Sequence, residues 1–345
     1  MNFSNQDSQP LATTENEVYS HLPESFAETV KIVEAFALKE TQESAQQKQL
    51  YYHTCEHVQG VKQRAERIFR AIIPFCQDNI NFDPASATLT RMKHLIGISA
   101  LAHDMVQEFL PEVQPYSPRR RETGVSEAAT SSKLIDFIEN INQQIIQKNP
   151  DSNAVFKAAD IQIIKEAIEA TVCQYDTQDN SIYQSLLYEQ DKSISLPAKI
   201  VALADIGALG MDGIEAYKEE GTLIFLEENP DVIPLLWNDK TQKVEASPGE
   251  DQNQQELYEG IRQRLLRRAN FQINFAKGRV SRFDREVAGL PDAAIQILKT
   301  DVFKYLTPET LQEIETSTPT EQDTSLQELI DFFELEKYIS LIKTA

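Results

Sequence analysis

Cysteine is scarce: Cys55, Cys76 and Cys173 are scattered, and no C-x-x-C occurs. A disulfide framework is excluded, and a reducing cytosol fits this usage. Glycine is low as well, 11 in 345 residues, while Ala, Leu, Ile, Glu and Gln are abundant. That balance favours helices over sheets. No Gly-rich phosphate loop is present. Nor does any stretch approach the roughly 20 apolar residues needed to span a bilayer. The opening residues, MNFSNQDSQPLATTENE, have no basic start and no apolar run, so no signal peptide is expected and the chain reads as cytoplasmic. Basic residues fall short too, 33 against 54 acids, for a net charge of −21. Such a surface repels polyanions, which argues against nucleic-acid binding and offers nothing to a membrane. A small phosphate ester needs only a local positive pocket and is not excluded.

The chain does have enough apolar residues, 41%, for a packed core. Residues 1–20 lack periodicity and read as a loose tail. From about residue 21 the spacing is helical. Val58, Val61, Ala65, Ile68 and Ile72 step by threes and fours along one helix face. Residues 86–105 form a second expected helix, apolar nearly all round from Leu95 to Ala102 and therefore buried. Three prolines and Arg119-Arg120-Arg121 mark 107–125 as a loop. Helices are expected from Ser126, over about 155–174, and over about 196–207, where Pro197 sits in the first turn. The polar stretch 237–255 reads as a loop before a long helix striped by Ile261, Leu265, Ala269, Ile273 and Ala276. Residues 262–285 carry eight bases and one acid, whereas 291–345 carry 11 acids and 4 bases, a net −7. The whole is an all-α chain: a helical domain over 21–290 and an acidic helical extension over 291–345. Homo-oligomerisation through the C-terminal helices is an expectation from the second amphipathic pattern there.

Histidine is also rare, with five residues, and two of them fall in Tyr52-His53-Thr54-Cys55-Glu56-His57. A spacing of four puts both rings on one side of a helix, though an isolated H-x-x-x-H also occurs on ordinary surfaces. His103-Asp104 ends the most apolar helix. Burying an Asp is costly unless it is paired or binds a metal, so this pair wants either a hydrogen-bonded partner or an ion. Asp205 is the lone acid after Lys199 in AKIVALADIG; it lies at depth or caps a helix end facing solvent. The order is His57, His103-Asp104, Asp205, with separations of 46 residues (57 to 103) and 101 residues (104 to 205). Two imidazoles and two carboxylates suit a divalent ion such as Mn, Fe, Mg, Zn, Co or Ni.

This order resembles the HD superfamily of metal-dependent phosphohydrolases, whose ligands follow H…HD…D, over roughly residues 50–210. The resemblance implies an all-helical bundle and a metal held by His57, His103, Asp104 and Asp205. It implies that His53 is a general acid and Asp104 part of the catalytic centre. It also implies that Glu127, in Ser126-Glu127-Ala128, either supports a metal ligand from behind or positions the water. The helix that often ends in a histidine in related bacterial proteins carries Cys173 and Gln174 here. Arg119, Arg120 and Arg121 are candidates for steadying phosphate charge, or else a solvated basic loop; Lys199 is a further candidate for substrate binding. The expected activity is hydrolysis of a small phosphorylated substrate by an activated water. The alternative is an HD-like nucleotide-binding or signalling module without catalysis.

Overall fold

The computed structural model describes residues 22–76, 87–112, 114–188, 194–241 and 250–342. The expected tail, with His21, lies outside the described residues. The fold is all-α. Helix α1 (Phe26–Lys48) starts on a capping box, in which the Ser25 side chain accepts from the Glu28 amide and Glu28 reaches back to Ser25. Helix α2 (Cys55–Ile72) buries the predicted stripe, Val58, Val61, Ala65, Ile68 and Ile72. Helix α3 (Ala87–Ala102) is followed by an extended loop, then by α4 (Val125–Lys148) and α5 (Ala158–Glu169).

The uniform apolarity of α3 has its reason in the packing. Ile96 and Ala100 join α2 in one core cluster. Leu95, Ile98 and Ala102 join Val33 of α1, Leu134 of α4 and Ile164 of α5 in another. A helix covered on two sides cannot expose a polar stripe.

The helix expected over 155–174 stops at Glu169. The Thr171 hydroxyl donates to the Ile168 carbonyl at 2.8 Å, which takes up a C-terminal acceptor of the helix. An antiparallel hairpin then forms from β1 (Cys173–Asp176) and β2 (Ser181–Gln184), with Cys173 opposite Gln184. Next comes α6 (Leu196–Asp205), capped by the Ser195 hydroxyl accepting from the Ala198 amide and carrying Pro197 in its first turn. It is followed by α7 (Ala208–Asp212), α8 (Ile214–Glu228) and α9 (Val232–Thr241). The loop expected over 237–255 is mostly helix: α9 runs to Thr241 and α10 (Glu250–Glu286) begins nine residues later, with 242–249 outside the described residues. Good helix formers, Glu and Gln, fill the start of α10 and extend it upstream of its apolar stripe.

After α10 come α11 (Asp292–Ile297), α12 (Pro308–Ser317), α13 (Leu326–Phe332) and α14 (Leu335–Ile342). Ala294, Leu298, Val302 and Phe303 pack into the same core as α2 and α6. Leu329, Phe333 and Ile339 cover Phe225, Ile233 and Leu265. Among the described residues, no helix is long and apolar enough to cross a membrane.

Candidate metal centre

Three helix ends build the centre. His57 stands in the first turn of α2. His103 and Asp104 sit in the turn that follows α3, and Asp205 is the last residue of α6. Helices α3 and α6 therefore bring their negative dipole ends toward the same place, together with two carboxylates. Among the described residues no Lys or Arg lies within 4.0 Å of Asp104 or Asp205; their close partners are histidines. Such a concentration of negative charge sets a demand that a cation could meet.

The distances meet that demand. Asp104 Oδ2 lies 2.9 Å from His103 Nε2 and 3.2 Å from His57 Nε2. Asp205 Oδ1 lies 3.3 Å from His103 Nε2 and 3.8 Å from His57 Nε2. One donor atom from each of the four residues falls within 4.8 Å of all the others. The two Nε2 atoms are buried and make no hydrogen bond of acceptable geometry, despite the short separations. A buried ring nitrogen without a partner is costly, and these two aim at a common point. His103 Nδ1 lies 2.8 Å from the Ala100 carbonyl. That contact calls for a proton on Nδ1 and leaves the Nε2 lone pair for a ligand bond. Each carboxylate is steered by a glutamine: Gln107 Nε2 donates to Asp104 Oδ1 at 3.0 Å, and Gln184 Nε2 donates to Asp205 Oδ2 at 2.9 Å. The remaining oxygens are left facing the imidazoles. Two nitrogens and two hard oxygens, oriented from behind, fit a divalent transition ion or Mg.

Charge follows the same geometry. Burial would lower the affinity of His103 for protons, but Asp104 and Asp205 outweigh it and hold the ring well above the usual histidine range. Burial would raise Asp104; His103 and His53 outweigh that and hold it well below the carboxylate range.

His53 lies beside the cluster, with Nε2 3.7 Å from Asp104 Oδ2. Its Nδ1 is bound to Glu227 Oε1, and Glu227 Oε2 accepts the backbone amides of Tyr52 and His53, each at 3.0 Å. Burial alone would raise Glu227; His53 and these bonds outweigh it and hold the carboxyl at about 2. The Nδ1–H tautomer satisfies Glu227 and leaves Nε2 to accept from Arg121 Nη1 at 3.0 Å. Arg121 also donates to Gln107 Oε1 at 2.7 Å, which ties it to the Asp104 support.

No family model, curated protein or solved structure matches the chain.

A cavity of about 1410 Å³ opens over the cluster. His53, Asp104, Glu127, Cys173 and Asp205 line it, together with the 118–124 loop, α8 and α10. The loop is fixed across it by the Arg119 amide donating to the Glu228 carbonyl at 2.7 Å. The predicted residues divide as follows. His57, His103, Asp104 and Asp205 converge, and His53 and Arg121 stand next to them. Glu127 lines the cavity outside the ligand group; burial raises its carboxyl, and Asp104 and Asp205 add to the rise. Arg120 lines the cavity without a hydrogen-bond partner for its side chain among the described residues, and Arg119 donates to the Lys48 carbonyl at 2.7 Å. Lys199 does not join them: its ammonium is bound to the Ala288 carbonyl, and it is absent from the cavity wall. Six residues, about one and two-thirds turns, separate Lys199 from Asp205, which points the two side chains to different faces.

Gln107, Gln184 and Glu227 are additions that sequence reasoning missed. Glu227 carried a usable signal: like Asp205, it is an acid at the end of an apolar helical run, LIFLEE. The glutamines carried none. Cys173 also lies beside the cluster. Burial, and then Asp205, Glu127 and Asp104, push its thiol well above the usual range, so it stands there neutral.

Proposed function

We propose that this chain is a metal-dependent phosphohydrolase that cleaves a small phosphate ester. One observation carries the reading: four convergent ligands with orphaned imidazole nitrogens stand beside a histidine–glutamate pair and an arginine, in one cavity. The ordered H…HD…D motif, with its resemblance to the HD superfamily, supports it. An ion held by His57, His103, Asp104 and Asp205 supplies, when bound, Lewis acidity that acidifies water and offsets phosphoryl charge.

The chain's own residues supply the rest. Arg121 binds a phosphoryl oxygen through the guanidinium that now donates to His53. A bound anion draws Arg121 from Nε2 and frees that nitrogen to hold a proton. Glu227 steadies the resulting imidazolium through Nδ1–H. When the oxygen of water bonds to phosphorus and the ester P–O bond breaks, the Nε2 proton passes to the leaving oxygen. Glu127 orients the water, and its raised carboxyl suits proton transfer nearer neutrality.

The leaving group provides the test. His53→Ala should keep the metal and the fold, and should lose roughly 10²–10⁴-fold in rate on an alkyl phosphate. The loss should shrink on a nitrophenyl phosphate, whose leaving oxygen needs no proton. Loss of metal would make His53 a ligand instead. Unchanged, near-zero turnover of both esters by the natural chain would favour a non-catalytic binding module.

A further inference from the structure

Among the described residues, four of the arginines that line the cavity lack the carboxylate partner that Arg264, on the same wall, has in Asp231. Arg64, Arg91, Arg264, Arg279 and Arg282 each have a carboxylate within 4.0 Å. Arg120, Arg121, Arg267 and Arg268 all line the cavity and have none among the described residues. With 54 acids against 33 bases, partners are not in short supply. Four guanidiniums have been gathered on one cavity wall with no carboxylate in direct contact among the described residues.

One of these arginines is enough for a scissile phosphate. Arg121, 3.0 Å from His53 Nε2, fills that place. The others are surplus to it. Arg268 is the most informative. Its Nε donates to the Gly221 carbonyl at 3.0 Å, which fixes the plane of the guanidinium. Its two Nη groups make no hydrogen bond among the described residues. A fork anchored by one edge and open on the other is the form that grips a phosphate through two parallel bonds. Burial chiefly lowers its hold on its proton; Glu228 opposes this and the Arg121 charge adds to it. The Arg121 charge is thus felt at Arg268 within one cavity, and an anion bound at either guanidinium relieves that repulsion.

We infer that the cavity holds a second phosphate group of the same substrate, gripped by Arg268 with Arg267 and Arg120, so that the substrate class is a bisphosphorylated small molecule. This rests on the hydrolase reading for the role of the first phosphate, and its test does not need turnover.

Binding to the purified chain should be measured by titration calorimetry with hexane-1,6-diol bisphosphate and with hexyl phosphate. The flexible linker lets two phosphates find two sites, and neither probe carries a base or sugar. The bisphosphate should bind at least about tenfold more tightly, a difference one charge-assisted fork can supply. Arg268→Gln should remove most of that preference, weakening the bisphosphate by more than it weakens hexyl phosphate. Arg267→Gln, at an exposed position, should weaken the preference too and serves if the first variant does not fold. Asp104→Ala should keep the preference. A natural chain that prefers the bisphosphate yet holds no metal would sink the hydrolase reading and leave the two-anion site standing. Equal affinities for the two probes, or a preference unchanged in every folded arginine variant, would overturn the inference.

Discussion

His57 and His103 each bury an Nε2 that makes no hydrogen bond of acceptable geometry among the described residues. That feature favours a group able to hold a metal ion over a buried His–Asp pair. The ligands were legible because histidine is rare here and because an acid on an apolar helix is conspicuous. Their supports were not. Gln107 and Gln184 are two among many glutamines, and only the folded chain shows their amides holding Asp104 and Asp205. Glu227 makes a prediction at this scale. Its folded value of about 2 lies below its ordinary 4.5. Its stabilising contribution is therefore complete above pH about 4.5 and is lost as pH falls through about 2. For a carboxylate this buried, the shift corresponds to about 3 kcal/mol. Urea unfolding of Glu227→Gln should show a deficit at pH 7 that shrinks toward pH 3. A deficit equal at both pH values would show that Glu227 acts by packing and not by its charge.

Elements were readable wherever one face is apolar. The stripe of α2 and the full apolarity of α3 both follow from what covers them. The hairpin was missed because Ile161, Ile164, Ile168 and Val172 carry a helical spacing past Glu169, whereas the turn chemistry of Asp179 and Asn180, the latter at φ 47°, decides for a reversal. Its consequence reaches the site, since the hairpin places Gln184 on Asp205 and Cys173 beside the cluster. The start of α10 was missed because polarity alone does not separate a loop from a solvated helix. The docking of the acidic C-terminal segment gives a prediction for elements. Gly210 of α7 receives it: the Tyr305 amide donates to the Gly210 carbonyl at 3.0 Å. A Cβ at Gly210 would lie 2.7 Å from Phe303 Cδ1 and 2.9 Å from Leu306 Cγ. Phe303 is fully buried and cannot swing away. Gly210→Ala should cost about 1–3 kcal/mol by overpacking, seen as a lower urea midpoint. Trimming the obstruction in Gly210→Ala with Leu306→Ala should recover part of it. An unchanged midpoint in the single variant would contradict this packing.

At the scale of the whole molecule, a chain of net charge −21 brings Arg120, Arg121, Arg267 and Arg268 to the wall of one cavity, a placement that suits a small anion better than a polyanion surface. The fold also draws His57, His103-Asp104 and Asp205 together across intervals of 46 and 101 residues. The order of these residues could be read in the sequence; their common depth is a product of α2, α3 and α6 packing on one another. Everything in the functional account depends on that meeting point holding an ion. Elemental analysis of the purified chain is the most direct measurement. It should find about one divalent metal per chain, and Asp104→Ala and Asp205→Ala should each lose most of it while keeping the helical circular dichroism of the natural protein. A natural chain without metal, or full metal content in both folded variants, would contradict the account.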